Sequence, residues 1–301
     1  MDMNQYPGEI DELRAAELLG TTVAVAALSQ RDLQECGTTY SSLFPDDPFD
    51  VTLFNAVALA NAFGAPWLSF EQLRIANRTS LWIFAVDWLI DYKADSRAQV
   101  DDVARRILAV ADGASPDDPL TRFLADIRDE LATAPGYAQW GSAWRDQVER
   151  LLVASAREWD WKAARAAGDN SALPSFEEYL DNADNYGSSL VNIGHWIYNG
   201  DLAALAHFDE LRAAGDEVQR ILRLLNDLAT YERDLTWGDL NSQMLGVGRE
   251  QVLARVAELI DNCRKLLEPL RDACPREVTY LERQIGYSLG FYGITDYWGR
   301  L

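Results

Sequence analysis

Histidine is almost missing from this chain. His195 and His207 are the only two in 301 residues. Neither stands in an HExxH-like context, and both are expected to be structural. Cysteine is also scarce. Cys36, Cys263 and Cys274 are an odd number at unrelated spacings with no CxxC pair, so neither a zinc site nor a disulfide framework is indicated. Basic residues are few: 27 Lys and Arg stand against 48 Asp and Glu, for a net charge of −21. A nucleic-acid partner needs a basic face, and an anionic membrane surface attracts one, so both are excluded as partners. No run of 18 apolar residues occurs, which excludes membrane insertion as a spanning helix. The start, MDMNQYPGEIDELRAAE, lacks the basic and apolar regions of a signal peptide, and a cytoplasmic location is expected. Sustained period-2 alternation of Val, Ile and Thr is absent, as is any repeat of 20–50 residues.

What the chain does have is apolar and aromatic mass. Hydrophobic residues make up 48% and aromatic residues 11%, enough for a large core with rings left over to line a cavity. Helical patterning covers most of it. Ser69 followed by Gln72 reads as a capping box opening an apolar-banded helix that ends in IFAVDWLIDYKAD. Further helices are expected over about Ser96–Ala111, Leu120–Ala132 and Trp140–Ala167, then from Ser175. Beyond these come Leu202–Ala214, a separate helix from Asp216, Arg249–Arg271 and Val278–Ile294. About ten helices with short loops predict one all-α domain over 1–301, with 1–30 as a mobile N-terminal segment.

Two constellations carry chemistry. In LRLLNDLATYERDLTWGDLN, residues Asn226, Thr230 and Asp234 fall at i, i+4 and i+8, on one face of a helix otherwise anchored by Ile221, Leu222, Leu225 and Leu228. An amide carbonyl, a hydroxyl and a carboxylate are oxygen donors suited to a hard divalent cation. Set in an apolar helix, such a triplet costs desolvation unless something binds it. Upstream, Asp87 and Asp91 lie one turn apart on an apolar helix. Two carboxylates facing an interior repel each other and hold their protons unless a cation compensates. Either set alone also fits the solvated edge of an amphipathic helix.

Together, in this order and 139 residues apart, they resemble the paired motifs of the class I terpene synthases, most closely the bacterial diterpene synthases, including those acting on labdane-type bicyclic diphosphates. The family's aspartate-rich motif corresponds to DWLID, Asp87 to Asp91, and its second motif to NDLATYERD, Asn226 to Asp234. EEYLDNADNYGSSLVNIG resembles the broken helix beside the diphosphate. The likeness runs from about residue 40 to the end. Four positions depart from the pattern. Trp88 replaces the second aspartate of the first motif, and Asp234 replaces a glutamate. Ala183 stands where many members have a diphosphate-sensing arginine. The usual C-terminal Arg-Tyr pair is absent from TDYWGRL, with Arg300 as its stand-in.

The resemblance implies a helical bundle around a central cavity and a lyase that ionises an allylic diphosphate. Mg²⁺, three ions, is held by Asp87 with Asp91 on one wall and by Asn226, Thr230 and Asp234 on the other. Arg233 donates to diphosphate oxygen. Trp82, Phe84, Trp88, Tyr186, Trp196, Phe291 and Trp298 are the candidate aromatics for stabilising a carbocation at about 0.5–2 kcal/mol each. Gly187 and Gly194 permit the helix break. A C20 diphosphate, geranylgeranyl or copalyl-type, is the leading substrate, and farnesyl diphosphate the alternative. A non-catalytic helical interaction protein descended from such an enzyme is the second alternative. A homodimer is also expected.

Overall fold

Short polar side chains ahead of apolar runs set the helix starts. The Ser69 hydroxyl accepts from the Gln72 N–H while the Gln72 amide oxygen accepts from the Ser69 N–H, and Ser175 with Glu178 repeats the device. Asp118 and Thr121 cap a helix that has Pro119 in its first turn. Such reciprocal caps satisfy N–H groups that no helical carbonyl reaches.

The structure is a computed structural model that describes residues 12–299. Among the described residues there are twelve α-helices and no strand. They are α1 (Glu12–Thr39), α2 (Val51–Gly64), α3 (Phe70–Trp88), α4 (Arg97–Ala111), α5 (Pro119–Leu131) and α6 (Tyr137–Ala166). Then follow α7 (Phe176–Asp181), α8 (Ser188–Asn199), α9 (Leu202–Leu205), α10 (Phe208–Trp237), α11 (Arg249–Leu267) and α12 (Pro275–Phe291). The all-α expectation holds, and no described helix is long and apolar enough to cross a membrane.

Helix α3 packs against α1, α2, α5 and α8, and α10 packs against α8, α11 and α12. Leu73, Ile75 and Leu81 of α3 and Leu211, Val218, Ile221 and Leu224 of α10 are wholly buried. Each such side chain contributes about 1.5–3 kcal/mol, so both helices are fixed as walls. Trp82 belongs to this core rather than to a cavity. It has no exposed surface, and its indole N–H donates to the Leu120 carbonyl at 3.1 Å, joining α3 to α5.

Two boundaries differ from expectation. Residues 12–30, expected as part of a mobile segment, lie in α1, where Thr22, Ala26 and Ser29 are buried while Leu13, Leu18 and Val23 stay exposed. The apolar stripe there is narrow, which disguises the helix. The second concerns α10, which runs unbroken for 30 residues through Gly215, where the sequence suggests a division before Asp216. Gly215 is there for close packing: a Cβ would stand 3.2 Å from the Trp196 ring. The helix ends instead at Gly238, whose φ of +83° suits a left-handed cap.

Candidate active site

A cavity of about 220 Å³ opens between α2, α3, α8, α10 and α12. Its α3 wall carries Ser80, Ile83, Phe84 and Asp87, followed by Asp91 and Tyr92. These last two sit in a π-helical turn, Leu89–Lys93, which Ala94 closes by donating to the Leu89 carbonyl five residues back at 3.0 Å. Such a turn widens the helix locally and recurs at functional sites. Asp87 and Asp91 are partly exposed, and both line the cavity.

Burial pushes Asp87 up to about 6 and Asp91 well above the usual carboxylate range. Each is also raised by Glu158 of α6 and by Asp239 beyond α10, while Lys162 opposes the effect. Lys162 donates to the Asp91 carbonyl at 2.9 Å and to Asp239 Oδ1 at 2.6 Å, and the Tyr92 hydroxyl also donates to Asp239. Glu158 is gripped by Arg223, whose Nη2 and Nη1 lie 2.6 and 3.1 Å from its oxygens, and by Asn185. Glu158, Lys162, Arg223 and Asp239 went unnoticed in the sequence. Glu158 and Lys162 stand one turn apart on α6, Arg223 precedes the α10 motif and Asp239 follows it, and only the fold brings the four to one place.

The α10 wall is bonded within itself. Thr230 is buried, and its hydroxyl donates to Asp234 Oδ2 at 2.6 Å. The Asn241 amide donates to the same oxygen at 2.8 Å. Burial raises Asp234 to about 7 in spite of these two bonds. Asn226 and Asp234 line the cavity, whereas Thr230 stands behind them. The motif's Asp227 also lines the cavity, but its carboxylate is engaged in structure. It accepts from the Tyr179 hydroxyl at 2.9 Å and the Ser242 N–H at 3.2 Å, tying α7 and the following loop to α10.

Between α7 and α8 the helix breaks through a 3₁₀ turn, Ala183–Tyr186, and Gly187 at φ +83°. A Cβ on Gly187 would meet Ile83 Cδ1 at 2.8 Å, so both its backbone and its neighbour require glycine. Gly194 has a different part, lying inside α8 where a Cβ would be 3.4 Å from Ile75. Ala183 is buried, and the guanidinium groups lining the cavity come from α10, Arg223 and Arg233. Arg233 donates to Asp296 Oδ1, which also accepts from the N–H groups of Trp298 at 2.8 Å and Gly299 at 3.0 Å. This folds the C-terminal stretch onto the site; Arg300 lies outside the described residues.

Of the candidate aromatics, Phe84, Tyr186 and Trp298 line the cavity. Trp82, Trp88, Trp196 and Phe291 do not. Trp88 packs on Phe49, Tyr92 and Trp298, Trp196 on Phe208, and Phe291 on Tyr287 and Tyr297. Tyr92, Tyr287, Tyr292 and Tyr297 line it unforeseen. Helical periodicity separates a buried face from an exposed one, but cavity and core share the buried face. The donor set suits a hard cation. Among the described residues no three His, Cys, Asp or Glu groups form a ready metal cluster.

Residues 78–266 match the family model described as terpene synthase family 2, C-terminal metal binding. The chain is 25% identical over 274 residues to ent-pimara-9(11),15-diene synthase from Streptomyces sp. (strain KO-3988), covering 89% of this chain and 90% of that one. Among solved structures it is similar to 2-methylisoborneol synthase from Streptomyces coelicolor A3(2) in complex with Mg²⁺ and geranyl-S-thiolodiphosphate. That likeness has a TM-score of 0.67 at 17% identity and covers 90% of each chain. Linalool/nerolidol synthase from Streptomyces clavuligerus, in complex with 2-fluorogeranyl diphosphate, gives a TM-score of 0.65 at 17% identity, covering 91% of this chain and 98% of that one.

Proposed function

The chain belongs to the terpene synthase family, and on that premise we propose that it ionises an allylic C20 diphosphate with Mg²⁺ and steers the resulting carbocation to a terpene. The observation that carries this reading is the facing of two oxygen-donor walls across one aromatic-lined cavity, Asp87 and Asp91 from the α3 side and Asn226 and Asp234 from α10. When bound, Mg²⁺ supplies Lewis-acid neutralisation of the departing diphosphate.

The protein's own part divides by position. Asp87 and Asp91 would be the ligands of one wall; burial raises both, and a cation would favour their ionised form. Asn226 and Asp234 would be ligands of the other, and Thr230, set behind them, would join them through its hydroxyl oxygen. The Thr230 hydroxyl donates its proton to Asp234 and so keeps its lone pairs for a cation. Arg233 exchanges Asp296 for diphosphate oxygen, and Tyr186 and Gly187 shape the break beside it. Phe84 and Trp298, their ring centroids 5.2 Å apart, line the cavity with Tyr287 and Tyr297 and offer aromatic surface to the migrating charge.

The C20 choice is supported by the diterpene synthase named above. The solved neighbours hold geranyl analogues, which keeps shorter chains in the test. Incubation with C10, C15 and C20 diphosphates plus Mg²⁺, read by gas chromatography and by diphosphate release, decides it. Turnover is expected with the C20 substrate. Preference for C15 would make it a sesquiterpene synthase, and release from none of the three would remove the reading.

A further inference from the structure

The lower end of the cavity is polar where a hydrocarbon-shaping pocket would be expected to be apolar. Asn61, Ser80, Gln284 and Ser288 line it. Ser80 is seven residues, nearly two helical turns, from Asp87 on α3. Behind Gln284, α12 and α8 face each other with two rungs of polar side chains. In one, Gln284 Nε2 donates to Asn192 Oδ1 at 2.6 Å. In the other, the rings of Tyr280 and His195 stack at 4.2 Å and 7°.

Four buried polar atoms on these rungs lack a protein partner: Gln284 Oε1, Asn192 Nδ2, the Tyr280 hydroxyl and His195 Nδ1. Tyr280 faces the Gln284 amide without good hydrogen-bond geometry. Asn192, His195 and Tyr280 are at most 5% exposed. Left unsatisfied, each atom costs about 1–3 kcal/mol, and one such cluster would consume much of a domain's net stability. A buried water typically makes about three hydrogen bonds to groups of this kind. Asn192 Nδ2 and the Tyr280 hydroxyl as donors and Gln284 Oε1 as acceptor are such a set.

We propose that α8 and α12 build an internal water site, opening on the cavity through Gln284, and that this water ends the reaction, so the product is an alcohol. The inference rests on the synthase reading above. Heterolysis of the allylic C–O bond leaves the electron pair on diphosphate. The water oxygen then donates a lone pair to the carbocation, forming a C–O bond. The oxonium proton passes along the hydrogen bonds of the site and leaves on diphosphate, the strongest base in the cavity. One substrate and one water yield one terpene alcohol and one protonated diphosphate, with no oxidant or reductant.

The test is turnover in ¹⁸O-labelled water with Mg²⁺ and whichever of the C10, C15 and C20 diphosphates is accepted, scoring labelled alcohol per diphosphate released. The wild type is expected to give mainly alcohol carrying one ¹⁸O. Gln284→Met, similar in length but without the amide, is expected to lower that ratio by roughly tenfold in favour of hydrocarbon. Diphosphate release with hydrocarbon alone from the wild type overturns the water site while leaving the synthase reading intact. So does an unchanged ratio in folded Gln284→Met. Release from no substrate removes the synthase reading instead. A crystal structure then judges the site without turnover: ordered water within hydrogen-bond reach of Gln284 Oε1 supports it, and side chains repacked onto each other there overturn it.

Discussion

The two donor walls of the cavity reach readiness by opposite routes. On α3, Asp87 and Asp91 face each other with Glu158 and Asp239 adding like charge, and the helix itself is widened by a π turn at the second carboxylate. On α10 the helix is regular for 30 residues, and Asp234 is held by Thr230 and Asn241. One wall holds carboxyl groups whose ionisation burial disfavours and an arriving cation would favour. The other is organised beforehand and loses little order on binding. Removing a group from the first should therefore cost function and not stability, whereas the second should lose both.

The largest expected effect breaks this contrast most directly. Asp87→Ala is expected to lower turnover by about 10³-fold or more, equivalent to about 4 kcal/mol in the barrier. Its metal-free melting temperature should equal or exceed wild type, because a carboxylate disfavoured by its surroundings is gone. Thr230→Val keeps the shape but deprives Asp234 of a hydrogen bond, at about 1–3 kcal/mol of stability, and should lower turnover as well. Melting curves beside steady-state rates check both. A destabilised Asp87→Ala protein, or a fully stable Thr230→Val protein, would show the walls to be alike.

A smaller effect follows from pH. In the folded protein Asp87 titrates near 6 and Asp234 near 7, both above the ordinary 3.8. The folded state thus holds protons that the unfolded chain has released, and the stability this contributes is lost as pH rises through the folded values. Each such proton counts for about 1.4 kcal/mol per pH unit. Metal-free protein is expected to melt roughly 5 °C lower at about pH 8 than at about pH 5, and Mg²⁺ with diphosphate should abolish the difference. Asp112 and Glu178, held low by Arg145 and by Ser175, lose stability only at more acid pH, whereas burial holds His195 down at about 4, so its contribution grows as pH rises toward 6.5 and offsets part of the fall. Calorimetry at fixed ionic strength reads the slope, and a rising melting temperature over that range would contradict the raised carboxylates.

How much of this was legible in the chain follows from what periodicity records. Ser69 with Gln72, and Ser175, mark helix starts in the sequence, because capping is a local bargain between neighbours. Both donor motifs were legible because i and i+4 share a face in any helix. Glu158 and Lys162 were not, since a charge on α6 gives no sign of which helix it meets. Trp82 and Phe84 are two residues apart, about 200° around the helix, and both look apolar and inward. Only the packing of α5 against one side of α3 sends Trp82 to the Leu120 carbonyl and leaves Phe84 in the cavity. Gly215 misled for a related reason: close contact with a ring and helix termination call for the same residue.

The smallest expected effect refines the α10 side of the comparison. Asp234 is one methylene shorter than the glutamate its family motif carries at that place, and it is buried with both Thr230 and Asn241 fitted to its Oδ2. Asp234→Glu therefore adds reach toward the cation and volume to a filled site at once. Overpacking of this size costs about 1–3 kcal/mol, while the carboxylate, the essential donor, remains. Turnover is expected to stay within about tenfold of wild type, with a modestly lower melting temperature in the absence of Mg²⁺. If the α10 wall is ordered in advance by those two hydrogen bonds, the loss should appear mainly as weaker Mg²⁺ binding, with lower rates at low Mg²⁺ and saturating Mg²⁺ restoring the rate. A variant that binds Mg²⁺ more tightly and melts higher would mean that the short carboxylate is a compromise of this chain, and that Thr230 and Asn241 hold it back from the metal.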